Sequence, residues 1–379
     1  MNKNSTITRP AWVEINLAQL RRNFEIFTKD RPANVSFMSI VKDDAYGHGL
    51  VEVARVAEQF GCAFLGVVTV DEGIALRQDG ISKPILLLGE RTDEELDLSF
   101  EHNLTCCIND LTQAKKLQRL CEKYHRTVAV HVEIDSGMSR YGVRWSDAMP
   151  VIEALSTMPE LELEGVMSHF AMSDELDKSF AMTQLARFNE VLSQMQVKNI
   201  SVKYRHLCNT GGYLDLPVAH FDMVRVGTLP LGVYPSKVCR RIPGLKPIMT
   251  VKTKVAALRD LQTGDKVGYG MHYEAACTRK IAVLPIGYGD GFPRVRNKGY
   301  VLIHGQRAPI VGGNAMDAMM VDITDIAGVK LWDEVVLLGR QGEEEITARD
   351  LADLRGSVTY ESMICWRSRL PRVYHNREI

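Results

Sequence analysis

Lys42 stands in Val41-Lys42-Asp43-Asp44-Ala45-Tyr46-Gly47-His48-Gly49, directly after the apolar stretch Phe37-Met38-Ser39-Ile40. The pattern reads as a strand ending on a lysine, a glycine-punctuated turn, and a helix from Leu50 to Phe60. That helix sets Leu50, Val53, Ala54, Ala57 and Phe60 on one face. Layered α/β folds keep their chemistry at strand mouths. An amine there forms a Schiff base with an aldehyde cofactor when its surroundings depress its pKa. A solvated lysine before a tight turn is the plainer alternative. Arg225 lies in Val224-Arg225-Val226-Gly227-Thr228 and Tyr269 in Val267-Gly268-Tyr269-Gly270. A guanidinium only donates hydrogen bonds, so a ring nitrogen facing one stays unprotonated. A phenol titrates near 10 and works as a base only where neighbouring donors or positive charge stabilise its anion. Taken singly, Arg225 also fits a rim salt bridge and Tyr269 a strand tyrosine beside a turn.

The elements that must hold these residues alternate. Candidate strands are Phe37–Val41, Phe64–Val68, Ile85–Leu88, Leu104–Ile108, Val128–Ile134, Leu163–Met167, Tyr204–Leu207 and Met223-Val224, with helical stretches such as Leu111–Tyr124 and Asp147–Ser156 between them. Repeated strand–helix units predict a parallel sheet, and about eight of them predict a closed (β/α)8 barrel over residues 1–242. Periodicity alone also suits a doubly wound sheet, but no G-x-G-x-x-G loop opens the first helix. Past Pro243-Gly244 the texture turns β-rich, with Met249–Leu258, Lys280–Pro285, Tyr300–Ile303, Met319–Ile323 and Glu334–Leu338 separated by turn residues. Residues 243–379 therefore read as a mainly antiparallel second domain.

Composition narrows the function classes. The chain has 379 residues, 45% of them hydrophobic, enough for two domains with substantial cores. Lys+Arg (46) and Asp+Glu (47) nearly cancel and no block of like charge stands out, so neither nucleic acid nor an anionic membrane is an expected partner. No apolar run approaches the roughly 18 residues of a membrane span. The first residues carry no signal-peptide core. Eight cysteines form no C-x-x-C pair and no metal-like spacing with histidine, which fits reduced, mostly buried thiols of a cytoplasmic protein and no metal site.

The chain resembles the alanine racemase family along nearly its whole length, from Ala11-Trp12-Val13-Glu14-Ile15 to Leu370-Pro371-Arg372-Val373-Tyr374. Ordered matches fall at Lys42–Gly49, Asp135–Gly142, Ser168–Ala171, His206–Gly212, Val224–Gly227 and the block from Gly268 to Asp322. The resemblance implies a pyridoxal 5'-phosphate enzyme that racemises an amino acid with two bases, Lys42 on one face of Cα and Tyr269 on the other. It implies a hydrogen-bond chain from Tyr269 through His169 to Arg225, with Arg225 facing the pyridine nitrogen. Phosphate binding falls by the same match to Tyr46, Thr210 beside Asn209, and the amides of Gly227 and Thr228. Arg140 and the backbone of Met316 match groups around the substrate carboxylate, and Tyr288, in Ile286-Gly287-Tyr288-Gly289-Asp290, matches a residue at the site's mouth. In this family Tyr269 and Met316 act in the partner's site, so the resemblance implies a head-to-tail homodimer with shared active sites.

Three positions depart from the family pattern. Glu133 stands where a carbamylated lysine is frequent, and its carboxylate is expected to orient Arg140. Asp43 stands where a small residue follows the lysine, either adding charge beside it or capping the next turn. Ser368 stands where many members have a phosphate-binding tyrosine, which widens the approach to the substrate side chain unless Trp366 restores the bulk. The expected activity is interconversion of L- and D-alanine, with D-alanine serving peptidoglycan. A racemase for serine, lysine or another amino acid is the nearest alternative. An amino-acid decarboxylase on the same architecture, and a non-catalytic pyridoxal-phosphate carrier, are alternatives of other classes.

Overall fold

The computed structural model describes residues 9–376. The described residues form two compact units, one of residues 21–45 and 49–245, the other of residues 9–20, 46–48 and 246–376.

In the larger unit eight parallel strands run side by side: Met223–Val226, Ser36–Ile40, Phe64–Val67, Ile85–Leu87, Thr105–Ile108, Val128–Asp135, Leu161–Met167 and Tyr204–His206. Bonds from Asp222 N to Arg205 O (3.1 Å) and Arg225 N to Cys208 O (2.9 Å) link the last strand to the first, so the barrel nearly closes. The strands follow the apolar runs to within about two residues because most of the runs are buried on both faces, as a helix-covered parallel sheet requires. Helices such as Leu111–Tyr124, capped by Asp110, and Ala148–Ser156 cover the outside.

The segment after Lys42 is not an ordinary turn. Asp43, Asp44, Ala45 and Tyr46 take φ of 53°, 54°, 50° and 54°, one turn of left-handed helix closed by Gly47 at 79°. L-residues pay roughly 1–2 kcal/mol each for this hand. Glu72 Oε1 receives Asp43 N at 2.6 Å, and Asp44 Oδ1 receives Leu50 N at 2.8 Å. Asp44, not Asp43, therefore caps the helix Leu50–Gln59, and Asp43 faces solvent.

The β-rich unit includes the first strand of the chain. Its larger sheet places Ala11–Asn16 between Met249–Lys254, antiparallel, and Arg372–His375, parallel. Ala11, Trp12, Val13 and Ile15 are all buried, so this strand needs cover on both faces and finds it inside that sheet. A second sheet joins Ala257–Leu261, Arg279–Leu284 and Met319–Asp322, all antiparallel. The β-rich segment expected over 249–258 holds parts of two strands, Met249–Lys254 and Ala257–Leu261. Val255 breaks the run and hydrogen-bonds Asp333 O at 3.0 Å. No helix among the described residues is long and apolar enough to cross a membrane. Six of the eight cysteines are buried thiols.

Candidate active site

The barrel brings Lys42, Arg140, His169, Asn209, Thr210, Arg225, Gly227 and Thr228 to the C-terminal ends of its strands, where such barrels keep their chemistry. Arg225, on the strand Met223–Val226 and 3% exposed, is the centre of the arrangement. Its Nη1 donates to His206 O at 3.0 Å and His206 Nδ1 at 3.1 Å. Its Nη2 donates to Ser168 O at 2.7 Å, His169 Nδ1 at 3.0 Å and Leu207 O at 3.2 Å. The four terminal N–H bonds are engaged, and among the described residues none receives Nε–H. Burial pulls the guanidinium down to about 10, with Glu133 opposing, so it keeps its charge at neutral pH.

Because Arg225 can only donate, His169 Nδ1 accepts and Nε2 bears the hydrogen. Burial, then the charges of Arg225, Arg140 and Lys42, hold His169 well below the usual histidine range, so this tautomer is neutral. Asn209 Nδ2 lies 3.5 Å from His169 Nε2 but is itself a donor, already turned to Phe170 O at 3.3 Å. The His169 Nε2–H thus stays available to an external acceptor.

Lys42 titrates below the ordinary lysine value, first through burial and then through Arg140, while Asp43 and Glu72 oppose the shift. Arg140 follows a turn in which Asp135 Oδ1 receives Gly137 N (2.9 Å) and Ser139 N (3.0 Å). Glu133, 5% exposed, is pushed up by burial and pulled back by Arg225 and then Arg140. Among the described residues no hydrogen bond joins Glu133 to Arg140. The expected direct contact is therefore replaced by a field acting on both arginines.

At the rim, Asn209 Oδ1 caps the short helix Thr210–Asp215 by receiving Gly212 N at 3.0 Å. Thr210 Oγ1 receives Gly227 N at 3.4 Å. Thr228, 2% exposed, has a buried hydroxyl with no hydrogen-bond partner. A buried hydroxyl beside backbone amides is a cradle suited to phosphate.

Tyr46, Tyr269, Tyr288, Met316 and Ser368 belong to the other unit. Tyr269 is 73% exposed on a turn between Gly268 (φ 75°) and Gly270 (φ 76°). A Cβ on Gly268 would meet Gly313 O at 2.8 Å, so the turn seats against the loop leading to Met316. Tyr288 N donates to Ala315 O at 3.2 Å and Gly289 N to Met316 O at 2.8 Å, which ties Tyr288 to Met316. Arg369, next to Ser368, reaches the same place through Asp290 at 3.0 Å and Asp317 at 2.5 Å. Buried Asp290 is also held by Arg9, whose Nη2 donates to Oδ2 at 2.9 Å. Tyr46 is buried with its ring 6.1 Å from that of Tyr360. Trp366 does not stand in for a missing tyrosine ring. It is 2% exposed and packs against Phe292 at 6.5 Å.

Residues 15–235 match the family model for the alanine racemase N-terminal domain and residues 248–374 that for its C-terminal domain. The chain belongs to the alanine racemase family. It is 42% identical to an alanine racemase of Carboxydothermus hydrogenoformans, over 97% of this chain and 100% of that one. It is 38% identical to an alanine racemase of Halothermothrix orenii, over 99% of each. A solved alanine racemase structure from Clostridium difficile superposes with a TM-score of 0.93 at 34% identity, over 97% of this chain and 96% of that one.

Sequence reasoning missed four supports of the racemase-family site: Glu72 under the left-handed turn, and His206, His131 and Glu164 beyond Arg225. One signal for His131 was present. In the strand Val128–Asp135 it stands two residues before Glu133, so both point to one side of the sheet.

Proposed function

We propose that this protein is a pyridoxal-phosphate-dependent alanine racemase, acting in the cytoplasm as a homodimer with shared sites and supplying D-alanine for peptidoglycan. The observation that carries the reading is Arg225, buried, charged and with only Nε–H left to give. The residues fit the cofactor. Lys42 would hold its aldehyde carbon, the unpartnered Thr228 hydroxyl with Thr210, Asn209 and Gly227 would hold its phosphate, and Arg225 would face its ring nitrogen. When bound, the cofactor supplies an electron sink that acidifies the substrate Cα–H. A donor-only partner keeps the ring nitrogen unprotonated and moderates that sink, which suits proton exchange and disfavours decarboxylation.

Lys42, held below the ordinary lysine value by burial and by Arg140, moves a proton at one face of Cα. Tyr269, supplied by a second copy of the chain, serves the other face. The neutral His169 donates through Nε2–H to the phenolate and Arg225 backs it with charge. Arg140, with Met316 and Tyr288 of the second copy, binds the substrate carboxylate and shapes the mouth.

The test is racemisation of L- and D-alanine scored by chiral chromatography, with borohydride reduction and peptide mapping of the attached cofactor. Label on Lys42 and equal end points from both enantiomers are expected. Label on another lysine, or release of CO2 without racemisation, overturns the reading.

A further inference from the structure

Arg225 turns its Nη2 toward His169 and its Nη1 the opposite way, into the barrel. His206 Nδ1 receives Nη1 at 3.1 Å, and His206 Nε2 lies 2.8 Å from His131 Nδ1. His131 Nε2, buried and without a hydrogen-bond partner, points at Glu164 Oε2 from 3.7 Å. Glu164 Oε1 meets Lys203 Nζ at 3.3 Å. Both imidazoles are fully buried, whereas the Glu164 side chain is 14% exposed. Glu164 lines a cavity of about 280 Å³ among Thr105, Val128, Arg77 and Asn103, at the strand starts. A line of polar groups therefore runs through the barrel from the catalytic end to the opposite one.

The line has one permitted direction. A guanidinium has no acceptor, so His206 Nδ1 must carry the lone pair and Nε2 the hydrogen. His131 Nδ1 must then accept, which places its hydrogen on Nε2, facing a carboxylate that only accepts. Reversing any one tautomer sets two N–H bonds, or two lone pairs, against each other. Burial holds both imidazoles below the usual histidine range, so neither escapes the choice by taking a second proton. The fit is built in: a Cβ on Gly165 would stand 2.6 Å from His131 Nδ1, and Phe64 packs edge-on against the same ring at 5.2 Å.

We infer that Glu164, His131 and His206 are positioning residues of the racemase: a one-way hydrogen-bond chain from Arg225 through His206 to His131, whose last N–H faces the Glu164 carboxylate across 3.7 Å as a charge contact, fixes the plane of Arg225 so that Nε–H is aimed at the cofactor ring. None of the three touches substrate or cofactor. The inference rests on the proposed racemase reading for its consequence, but the tautomers are a property of the folded protein.

The experiment uses the full-length holoenzyme labelled with 15N-histidine. In the wild type, His131 and His206 should both appear as neutral Nε2–H tautomers across pH 6–8. In Glu164→Leu the His131 signal should shift toward mixed tautomers, with kcat down roughly 10- to 100-fold and KM within about twofold. Glu164→Gln keeps an acceptor and should restore both readouts. An Nδ1–H tautomer on either histidine of the wild type overturns the inference, as does a Glu164→Leu protein with unchanged signals and kcat. A glutamine variant as impaired as leucine also overturns it. Should Glu164→Leu not fold, the wild-type tautomers and the glutamine variant decide. A wild type that shows the expected tautomers but does not racemise alanine overturns the functional reading alone.

Discussion

Glu72 is expected to be the strut that keeps Lys42 in place, and Glu72→Ala tests it. Four consecutive L-residues in the left-handed region, Asp43 to Tyr46, carry an intrinsic cost of roughly 4–8 kcal/mol in total. The Glu72 carboxylate receives Asp43 N (2.6 Å), Val68 N (3.1 Å) and Thr69 N (3.2 Å), while Glu72 N donates to Thr69 Oγ1 at 3.3 Å. Water replaces the carboxylate at the exposed Asp43 and Thr69 amides, so those losses are small. The half-buried Val68 amide and the broken capping box account for about 2–3 kcal/mol together. Tm should fall by roughly 5–10 °C. With Asp43 untethered the left-handed turn relaxes and Lys42 shifts, so kcat should drop on the order of 10- to 100-fold.

Glu72 also raises the Lys42 pKa, so its loss lets the amine titrate lower still. A base with a lower pKa is free at lower pH, and the acid limb of the kcat profile should move down. Glu95 is the internal control. It forms the same box with Thr92, receiving Thr92 N at 2.9 Å and donating its own N–H to Thr92 Oγ1 at 3.2 Å, on a helix remote in sequence from Lys42. Glu95→Ala should cost about 1 kcal/mol and leave kcat alone. Equal Tm and kcat in the two variants would falsify the strut.

Tyr269→Ala should keep the cofactor colour, lose racemisation by about 10²–10⁴, and make Cα exchange in D2O selective for one enantiomer; unchanged turnover in both directions excludes Tyr269 as a base. Glu133 is pushed up by burial, so the folded protein holds its proton to higher pH than the unfolded chain, and stability falls as pH rises from the ordinary carboxylate value through the raised one. Glu133→Gln removes that loss, and urea midpoints at pH 5 and 7.5 should favour the variant increasingly as pH rises; a constant difference sinks the assignment. Ser368 is exposed and Trp366 is committed to the core, so racemisation of serine or a longer amino acid should be measurable beside alanine. Ser368→Tyr should then shift kcat/KM toward alanine by roughly 10- to 200-fold; a wild type that already rejects all larger substrates refutes this.

The barrel was legible because most of its strands are buried on both faces and so leave uninterrupted apolar runs between helical stretches. The N-terminal strand was not. Ala11–Asn16 pairs with residues more than 230 positions away, and local pattern carries no record of such a partner. The left-handed turn was hidden for a related reason. Asp-Asp-Ala-Tyr has no glycine until Gly47, and only Asp is at all tolerant of positive φ, so nothing local announces it. The contact that braces it, Asp43 N to Glu72, comes from 29 positions further along the chain. Lys42, Arg225 and Tyr269 were found through motifs, whereas Glu164 and His131 sit in strands where a polar residue looks like an ordinary outward one.

These hidden residues share one physical task. Lys42, Arg140 and Arg225 act on one another as like charges near the strand mouths, with Glu133 the buried acid among them. Like charges in low dielectric repel, and left alone the flexible Lys42 and Arg140 would turn outward toward water. The fold counters this with rigid supports rather than with more buried acids: a strained turn pinned by Glu72, an Asx turn on Asp135, and five protein acceptor contacts on the Arg225 termini. Extra carboxylates would neutralise the site and raise the Lys42 pKa, weakening both its hold on anions and its use as a base. Backbone carbonyls and neutral imidazoles fix Arg225 without discharging it. The positive field is thereby kept for a ligand that brings its own phosphate and carboxylate.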